Sequence, residues 1–524
     1  MTQPDSAATR LQQLKTSAMH AWSRGALAQA RQDLLAVLAL APADAQGAKM
    51  LAIVEQRLGD HAQAITHFRQ ALATAPDDVD THTGLAISLA QQGDAGESID
   101  HFRQAARLRP DMAPAWANLG EALARQNRFD EAADALQHAV TLDANALPAR
   151  LALARVQAIN GDTDGATGSF RAVLARQPDN AEAWFGLSYL NTAGLDATDA
   201  QRLQHILARG TQPPAQREKL LFAQAKALEN THQYDEAFAA FTAANALGKQ
   251  RVQWRHAAQQ ARNRAIEKTF AASASTPAPA SPAGEILFIA SLPRSGSTLV
   301  EAILAAHPDV ESGNETRLLA RVLDEESHRR GQPFPDWTGA ATDADWSRLG
   351  QRYMTLASTL RTGKARFVDK SLLNWQLVGA ALSMLPDARV VFVQRDAVET
   401  CLACYRQCLG PESGFACDLD WLADQYAACE RLTRLWRQQY PQRTLHLAYE
   451  TLVQQPEASI RALLAFCQLP FDPCCLTYYT ARRAVKSLPS TQQVRQPLRR
   501  DTAKSHLYAD HLAGLRRRLQ TPEG

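Results

Sequence analysis

A spacing of 34 residues organises the first half of this chain. Pro42, Pro76 and Pro110 follow one another at that interval, and Pro178 lies two intervals further on. Small and aromatic residues recur in the same phase, at Ala64, Phe68 and Ala71, Phe102 and Ala105, Ala132, Leu136 and Ala139, and Ala166, Phe170 and Val173. A fixed period of this length indicates repeated helix pairs, each of which buries its apolar face against its neighbours.

The pattern resembles the tetratricopeptide repeat over roughly residues 11–250. Trp184 and Leu187 open a sixth unit, which loses register near residues 192–214, and a further repeat-like pair follows that stretch. The resemblance implies an α-solenoid, predicted for residues 1–267, that binds an acceptor protein or peptide. The aromatic residues of the repeats are expected in its core rather than at its binding face.

A stretch rich in alanine, proline and serine separates the two halves of the chain. Residues 271–284 read AASASTPAPASPAG, without periodicity and without a large apolar side chain. Such a composition predicts an extended or flexible linker, which we place at residues 268–284. The domain beyond it is placed at residues 285–519, and the chain from residue 285 to residue 524 is therefore expected to fold and to bind its ligand on its own.

The second half begins with a motif typical of an anion site. Residues 286–290, ILFIA, predict a buried parallel strand, and a helix is predicted over residues 299–306. The turn between them contains Arg294, Ser295, Gly296, Ser297 and Thr298. The N–H groups at a helix start, the hydroxyls and the arginine fit a phosphate or sulfate group. Ser297 stands where a Walker A motif needs its lysine, which disfavours a nucleoside triphosphatase.

Three further apolar runs predict parallel strands that end in charged or polar side chains. They are residues 366–370, ending at Lys370, residues 388–394, followed by Arg395, and residues 444–449, ending at Tyr449. The carboxyl ends of parallel strands meet at one edge of an α/β sheet, where such folds bind their ligands. We therefore expect these three side chains to lie beside the loop.

The sequence around the loop resembles sulfotransferases, and in particular the protein-tyrosine sulfotransferases. The resemblance rests on Pro-Arg-Ser-Gly-Ser-Thr-Leu at the loop, His-Pro-Asp-Val after the helix and Gly-Asn-Glu-Thr-Arg at residues 313–317. It covers roughly residues 285–515 and implies a P-loop-like α/β sulfotransferase domain. It also implies Glu315 as the catalytic base, Lys370 as the group that stabilises the departing phosphate, and Arg294 and Ser490 as donors to the sulfuryl oxygens.

The same resemblance implies that the chain binds 3′-phosphoadenosine 5′-phosphosulfate (PAPS) and needs no metal. The loop residues, Arg294 and Ser295 to Thr298, would hold the 5′-phosphosulfate. Arg395 would bind the 3′-phosphate, Tyr449 would lie near the nucleotide, and Lys504 would belong to a loop that closes over it.

The chain departs from the family pattern at two places. Ala403 stands where the family has a serine that also binds the 3′-phosphate, and Thr400 or Arg406 would then take over that contact. His506, two residues after Lys504, stands where a tryptophan is common. These departures place the strength of nucleotide binding in question.

The charge balance and the cysteines disfavour several classes of protein. The 56 Lys+Arg oppose 54 Asp+Glu, a net charge of +2, which disfavours a nucleic-acid binder. The sequence starts without an apolar signal-peptide core and contains no run long enough to span a bilayer, so we expect a cytoplasmic protein without a membrane partner. All eight cysteines lie between residues 401 and 475, and we expect reduced, structural thiols, since Cys401 and Cys404 have no second pair to complete a metal site.

These features predict PAPS-dependent transfer of a sulfuryl group to a hydroxyl, with protein tyrosine as the favoured acceptor. A sugar hydroxyl and a small phenol stay open as acceptors. A non-enzymatic alternative is a repeat scaffold with a catalytically degenerate nucleotide-binding domain, which Ala403 favours and which Glu315 and Lys370 oppose. Phosphotransfer from ATP is a third alternative, opposed by the missing Walker lysine.

Overall fold

The computed structural model describes residues 5–190, 194–272, 285–480, 494–498 and 502–520. The chain forms two compact units, Met1–Pro178 and Asp179–Gly524. No helix in these described ranges is long and apolar enough to cross a membrane.

The first unit consists of helices that pair in sequence order, as the repeat period predicts. Its helices are α1 (Asp5–Ser23), α2 (Leu27–Leu40), α3 (Ala45–Leu58), α4 (His61–Thr74), α5 (Val79–Gln92), α6 (Ala95–Leu108), α7 (Ala113–Arg125), α8 (Phe129–Leu142), α9 (Leu147–Asn160) and α10 (Thr163–Arg176). The helix ends follow from a repeated Gly-Asp pair. Gly59 ends α3 in the left-handed region, with φ 83°, and the carboxylate of Asp60 caps α4 by accepting from the Gln63 N–H.

The repeat core is built from the small and aromatic residues that recur in phase. Phe68, Phe102 and Phe170 are all buried. Small residues let the paired helices approach closely, because a Cβ placed on Gly84 would lie 2.4 Å from Phe68 Cζ. Trp116 differs from these residues, since it is half-buried and its Nε1 donates to the Pro110 carbonyl at 3.0 Å.

The second unit starts with five helices that precede the sheet. They are α11 (Ala181–Ser188), α12 (Ala197–Ala208), α13 (Pro214–Asn230), α14 (Tyr234–Val252) and α15 (His256–Ala271). These helices pack with the domain that follows them. Asn245 Nδ2 donates to the Tyr405 carbonyl at 2.8 Å, and the ring of Phe270 lies 5.2 Å from that of Trp436. The boundaries proposed at residues 267 and 285 stay predictions, and most of the proposed linker, residues 273–284, lies outside the described residues.

Five parallel strands form the sheet in the order β2-β3-β1-β4-β5. The strands are β1 (Ile286–Ala290), β2 (Val310–Ser312), β3 (Arg366–Lys370), β4 (Arg389–Gln394) and β5 (Thr444–Ala448). β1 is buried along its whole length, as expected for a central parallel strand. Its neighbours are β3 and β4, so the loop after β1 opens between their carboxyl ends.

Helices cover the sheet and complete the second unit. They are α16 (Ser297–Ala306), α17 (Leu318–Arg330), α18 (Asp343–Ser358), α19 (Asn374–Met384), α20 (Ala397–Tyr405), α21 (Leu419–Gln439), α22 (Tyr449–Gln454), α23 (Pro456–Phe466) and α24 (Ala513–Gln520). Short 3₁₀ segments lie at Thr338–Ala340, Pro411–Cys417, Pro473–Cys475, Tyr478–Thr480 and Ser505–Tyr508. The core contains Leu287 and Ile289 of β1 packed with Val300 and Ile303 of α16. This packing fixes the start of α16 at the carboxyl edge of the sheet.

All eight cysteines are free thiols. Cys401 and Cys404 are buried, and burial raises the pKa of the Cys404 thiol to about 12. A thiol that stays protonated is a poor nucleophile and a poor metal ligand. The side chains of Cys401 and Cys404 therefore serve to fill the core.

Candidate active site

The loop after β1 has the backbone of a tight turn into a helix. Arg294 and Gly296 both adopt left-handed conformations, with φ 67° and 103°. Gly296 is needed for a second reason, because a Cβ at this position would lie 2.6 Å from Cδ2 of Tyr449. The loop therefore lies directly against the Tyr449 ring, and α16 begins at the next residue, which places the N-terminal end of the helix dipole at the loop.

Lys370 connects three of the residues singled out from the sequence. It ends β3, opposite Ile289 of β1, and its side chain is only 5% exposed. Its Nζ lies 3.0 Å from Glu315 Oε1 and 3.3 Å from the Thr298 hydroxyl. The structure therefore places Lys370 within hydrogen-bond distance of both the proposed base, Glu315, and the anion loop.

The end of β3 is held by a buried carboxylate next to Lys370. Asp369 accepts from the Tyr353 hydroxyl at 2.7 Å and from Asn374 Nδ2 at 3.1 Å. Burial raises the pKa of Asp369, and the hydrogen bonds from Tyr353 and Asn374 oppose that shift. These contacts anchor the strand end, so the position of Lys370 does not depend on its own charged partners alone.

Glu301 is a further acidic residue at the site that the sequence analysis missed. Its Oε2 lies 3.5 Å from Lys370 Nζ, and its Oε1 accepts from the Ser312 hydroxyl. Its side chain is 4% exposed, whereas that of Glu315 is 43% exposed. Lys370 thus has one buried and one exposed carboxylate partner. The signal in the sequence was a single acid within the apolar run of α16.

Arg395 follows β4 and lies over the ring of Tyr449. Its guanidinium is 5.0 Å from the centroid of the Tyr449 ring and 3.7 Å from Glu399 Oε2. It also donates to the Thr502 carbonyl at 3.3 Å. Tyr449 therefore contacts both Gly296 and Arg395, which brings three more of the predicted residues together.

The C-terminal segment closes on the start of α20. The backbone N–H groups of Lys504 and Ser505 donate to Glu399, at 3.0 and 2.7 Å. The Lys504 ammonium lies 3.5 Å from Glu229 Oε2, on α13. The main chain of Lys504 is thus near Arg395, while its side chain extends to a helix that precedes the sheet.

The remaining predicted positions have different outcomes. Ser490 lies outside the described residues. Ala403 is half-buried on α20, whose Cys404 Sγ contacts the Pro293 carbonyl at 3.2 Å. Of the two residues suggested to replace the family serine, Thr400 donates to the Arg395 carbonyl at 3.4 Å and Arg406 pairs with Glu229. No group of three or more His, Cys, Asp or Glu side chains suited to a metal ion occurs in the described part of the chain.

Parts of both halves of the chain match known families. Residues 287–473 match the sulfotransferase family. This range contains the anion loop, Glu315, Lys370, Arg395 and Tyr449. Tetratricopeptide repeat families match residues 16–79, 49–113, 83–146 and 124–187. The resemblances found in the sequence are confirmed at the level of these two families.

Individual relatives resemble parts of the chain. An uncharacterized protein of Aquifex aeolicus (strain VF5) is 29% identical over 321 residues, covering 59% of this chain and 42% of that protein. The protein-tyrosine sulfotransferase of Drosophila melanogaster is 26% identical over 209 residues, covering 36% of this chain and 39% of that protein. The chain therefore spans about two fifths of the length of these curated relatives. A tetratricopeptide repeat protein from Parabacteroides merdae has 15% identity and a TM-score of 0.36, over 46% of this chain and 94% of that one.

Proposed function

Because the chain combines tetratricopeptide repeats with a C-terminal domain of the sulfotransferase family, we propose that it transfers a sulfuryl group from PAPS to a hydroxyl, with protein tyrosine as the favoured acceptor. The observation that supports this proposal most strongly is the contact of Lys370 with both Glu315 and Thr298. It joins a candidate base to a candidate anion loop through one cation, as a transfer between an acceptor and an anionic donor requires.

The proposed reaction is an in-line displacement at sulfur. The acceptor oxygen forms a bond to sulfur, the bond from sulfur to the 5′-phosphate oxygen breaks, and the acceptor proton goes to Glu315. Lys370 stabilises the negative charge on the departing phosphate oxygen, and Arg294 with the start of α16 stabilises the sulfuryl oxygens. The half-exposed carboxylate of Glu315 suits an acceptor that arrives from solvent.

The repeat unit is proposed to recruit the acceptor protein, since arrays of this kind bind proteins and peptides. A cytoplasmic location stays a prediction from the sequence.

The scaffold alternative and the ATP alternative are tested in one experiment, in which the full chain is titrated calorimetrically with PAPS, adenosine 3′,5′-bisphosphate (PAP) and ATP. Tight binding of PAP and PAPS with weak binding of ATP is expected. Binding of none of them would favour the scaffold, and a preference for ATP would favour phosphotransfer.

Arg294→Ala and Arg395→Ala are each expected to weaken PAP binding. Each change removes charge-assisted donors that contribute roughly 1.5–3 kcal/mol, which corresponds to a loss of about tenfold to hundredfold in affinity. Calorimetry on the full-length variants measures the change. Arg437→Ala, an exposed arginine on the last turn of α21, is the matched control and should bind PAP normally. Unchanged affinity in both Arg294 and Arg395 variants would remove the proposed pocket.

Glu301→Gln tests the buried partner of Lys370. The change keeps the shape of the side chain but removes its charge, which leaves Glu315 as the carboxylate within 4 Å of Lys370 among the described residues. A base that is held more tightly by its cation accepts a proton less readily, so kcat for a phenol should fall by roughly tenfold. The loss should shrink for phenols that are already ionised. An equal loss for all phenols would instead show that Glu301 only places Lys370.

A further inference from the structure

One buried tyrosine connects the strand before the anion loop to the strand that ends at Lys370. Tyr353, on α18, is 0% exposed, and the centroid of its ring lies 5.7 Å from that of Phe288 in β1. Its hydroxyl donates to Asp369 Oδ2 in β3 at 2.7 Å. Phe288 and Asp369 pair with each other in the parallel register of β1 and β3, so Tyr353 contacts both strands at the same level of the sheet.

Asn374, at the start of α19, connects the same two strands. Its side chain is buried, and its Nδ2 lies 3.1 Å from both the carbonyl oxygen and Oδ1 of Asp369 and 3.4 Å from the Ile289 carbonyl oxygen of β1. Tyr353, Asp369 and Asn374 thus form one buried network, which we call the strand-end network. It holds the carboxyl ends of β1 and β3 at a fixed spacing.

The strand-end network lies next to the groups proposed to act on the substrate. Lys370 follows Asp369 and pairs with Ile289, the last but one residue of β1. Successive side chains of a strand point to opposite faces of the sheet. Lys370 therefore reaches the Thr298 hydroxyl of α16 at 3.3 Å, while Asp369 is held on the other face. The separation between the Lys370 ammonium and the anion loop thus depends on the spacing of the two strand ends.

The strand-end network is strongest when Asp369 is ionised. Burial raises the pKa of Asp369, the hydrogen bonds from Tyr353 and Asn374 lower it, and the negative charge of Glu301 raises it again. Burial also holds the pKa of the Tyr353 hydroxyl well above its ordinary value, so the phenol stays protonated and donates. A carboxylate accepts hydrogen bonds more strongly than a protonated carboxyl group does. Loss of one donor therefore weakens the network and also favours protonation of Asp369.

We infer that Tyr353 is a positioning residue, which fixes the distance between Lys370 and the anion loop through its hydrogen bond to Asp369. The inference rests on the proposed function, in which Lys370 stabilises the negative charge on the departing phosphate oxygen. A displacement of about 1 Å can lower a rate by roughly 10²-fold. Binding of the nucleotide, in contrast, is shared among several other groups. Tyr353 should therefore affect kcat far more than it affects affinity for PAP.

The test uses Tyr353→Phe in the full chain, which removes the hydroxyl and keeps the ring beside Phe288. With a phenol that is ionised over the whole range of about pH 6 to 9, kcat at neutral pH should fall by roughly tenfold to hundredfold. An ionised phenol needs no base, so this loss does not report on Glu315. The kcat of the variant should recover in part as the pH rises, because Asp369 regains its charge above its raised pKa. Calorimetry should give a PAP affinity within a few-fold of the wild type.

Three comparisons separate positioning from a general loss of stability. Asp369→Asn mimics the protonated carboxyl group and should lower kcat by a similar factor, without recovery at higher pH. Tyr405→Phe removes another buried hydroxyl, which donates to Thr242 Oγ1 at 3.2 Å, and should keep its kcat while it loses a similar amount of thermal stability. In a Lys370→Ala chain, Tyr353→Phe should lower kcat no further, because the cation that it positions is already absent.

An unchanged kcat in Tyr353→Phe would overturn the positioning role, and so would a full additional loss in the Lys370→Ala chain. A loss that does not vary with pH would overturn the part assigned to the charge of Asp369. A wild-type chain that transfers no sulfuryl group from PAPS to any phenol would overturn the proposed function itself. The wild type is assayed before the variants, so the two failures are distinguishable.

Discussion

Glu315→Gln is expected to lower kcat for a phenolic acceptor by roughly 10²–10⁴-fold, the usual contribution of a general base. The amide keeps the shape of the side chain but cannot take the acceptor proton. Affinity for PAP should stay within a few-fold of the wild type, because Lys370 keeps the carboxylate of Glu301 at 3.5 Å and so stays in place. Steady-state kinetics with a set of phenols, together with calorimetry for PAP, measure both quantities.

Lys370→Ala is the variant against which that result is judged. The lysine acts on the departing phosphate oxygen, so its loss should persist for phenols of low pKa, whereas the loss in Glu315→Gln should shrink as the phenol becomes ionised. Full turnover by Glu315→Gln with every acceptor would show that another residue is the base. The resemblance to protein-tyrosine sulfotransferases would then fail at the catalytic step.

A fragment of residues 285–524 is expected not to fold, although the linker composition predicted that it would. The last helix before the sheet, α15, has side chains that are buried in the second unit, since Ile266 and Phe270 are 0% and 5% exposed. It also accepts a hydrogen bond from the domain that follows, because Gln376 Nε2 donates to Asn263 Oδ1 at 2.9 Å. Loss of one large buried apolar side chain costs about 2–5 kcal/mol, against a total stability of roughly 5–15 kcal/mol for a domain. Removing these two side chains alone would cost about 4–10 kcal/mol, which is comparable with the whole stability of a domain.

The matched fragment contains residues 179–524, which form one compact unit. It should show a cooperative thermal transition by circular dichroism and bind PAP with the affinity of the full chain. A cooperative transition and normal PAP binding in residues 285–524 would show that the helices α11 to α15 are an accessory layer.

The local pattern of the sequence predicted most of the elements that position the site. The 34-residue period predicted the helix pairs, and β1 and β3 begin and end where the apolar runs do. β2 was missed because a strand of three residues, Val310–Ser312, is too short to show a period. The side chains at the strand ends were identified because parallel α/β sheets bind their ligands at the carboxyl ends of their strands.

Contacts between distant parts of the chain could not be predicted in the same way. Glu229 and Arg406 are 177 residues apart in the sequence. The sequence around either residue contains no pattern that indicates its ion-pair partner. Glu301 was overlooked for a related reason. A single acid on an apolar helix indicates a site residue only once the structure shows that Lys370 lies beside it. Periodicity reports burial, but it does not report which buried charge meets which.

The position of Tyr449 has a consequence for which nucleotides the chain can accept. One edge of its ring lies against Gly296 of the anion loop, and the guanidinium of Arg395 lies 5.0 Å from its centroid. The Tyr449 ring therefore contacts both the anion loop and the arginine proposed for the 3′-phosphate. Under the proposed function, a nucleotide with phosphates at two positions of its ribose, such as PAP, should bind more tightly than ATP, whose phosphates are all joined at the 5′ position.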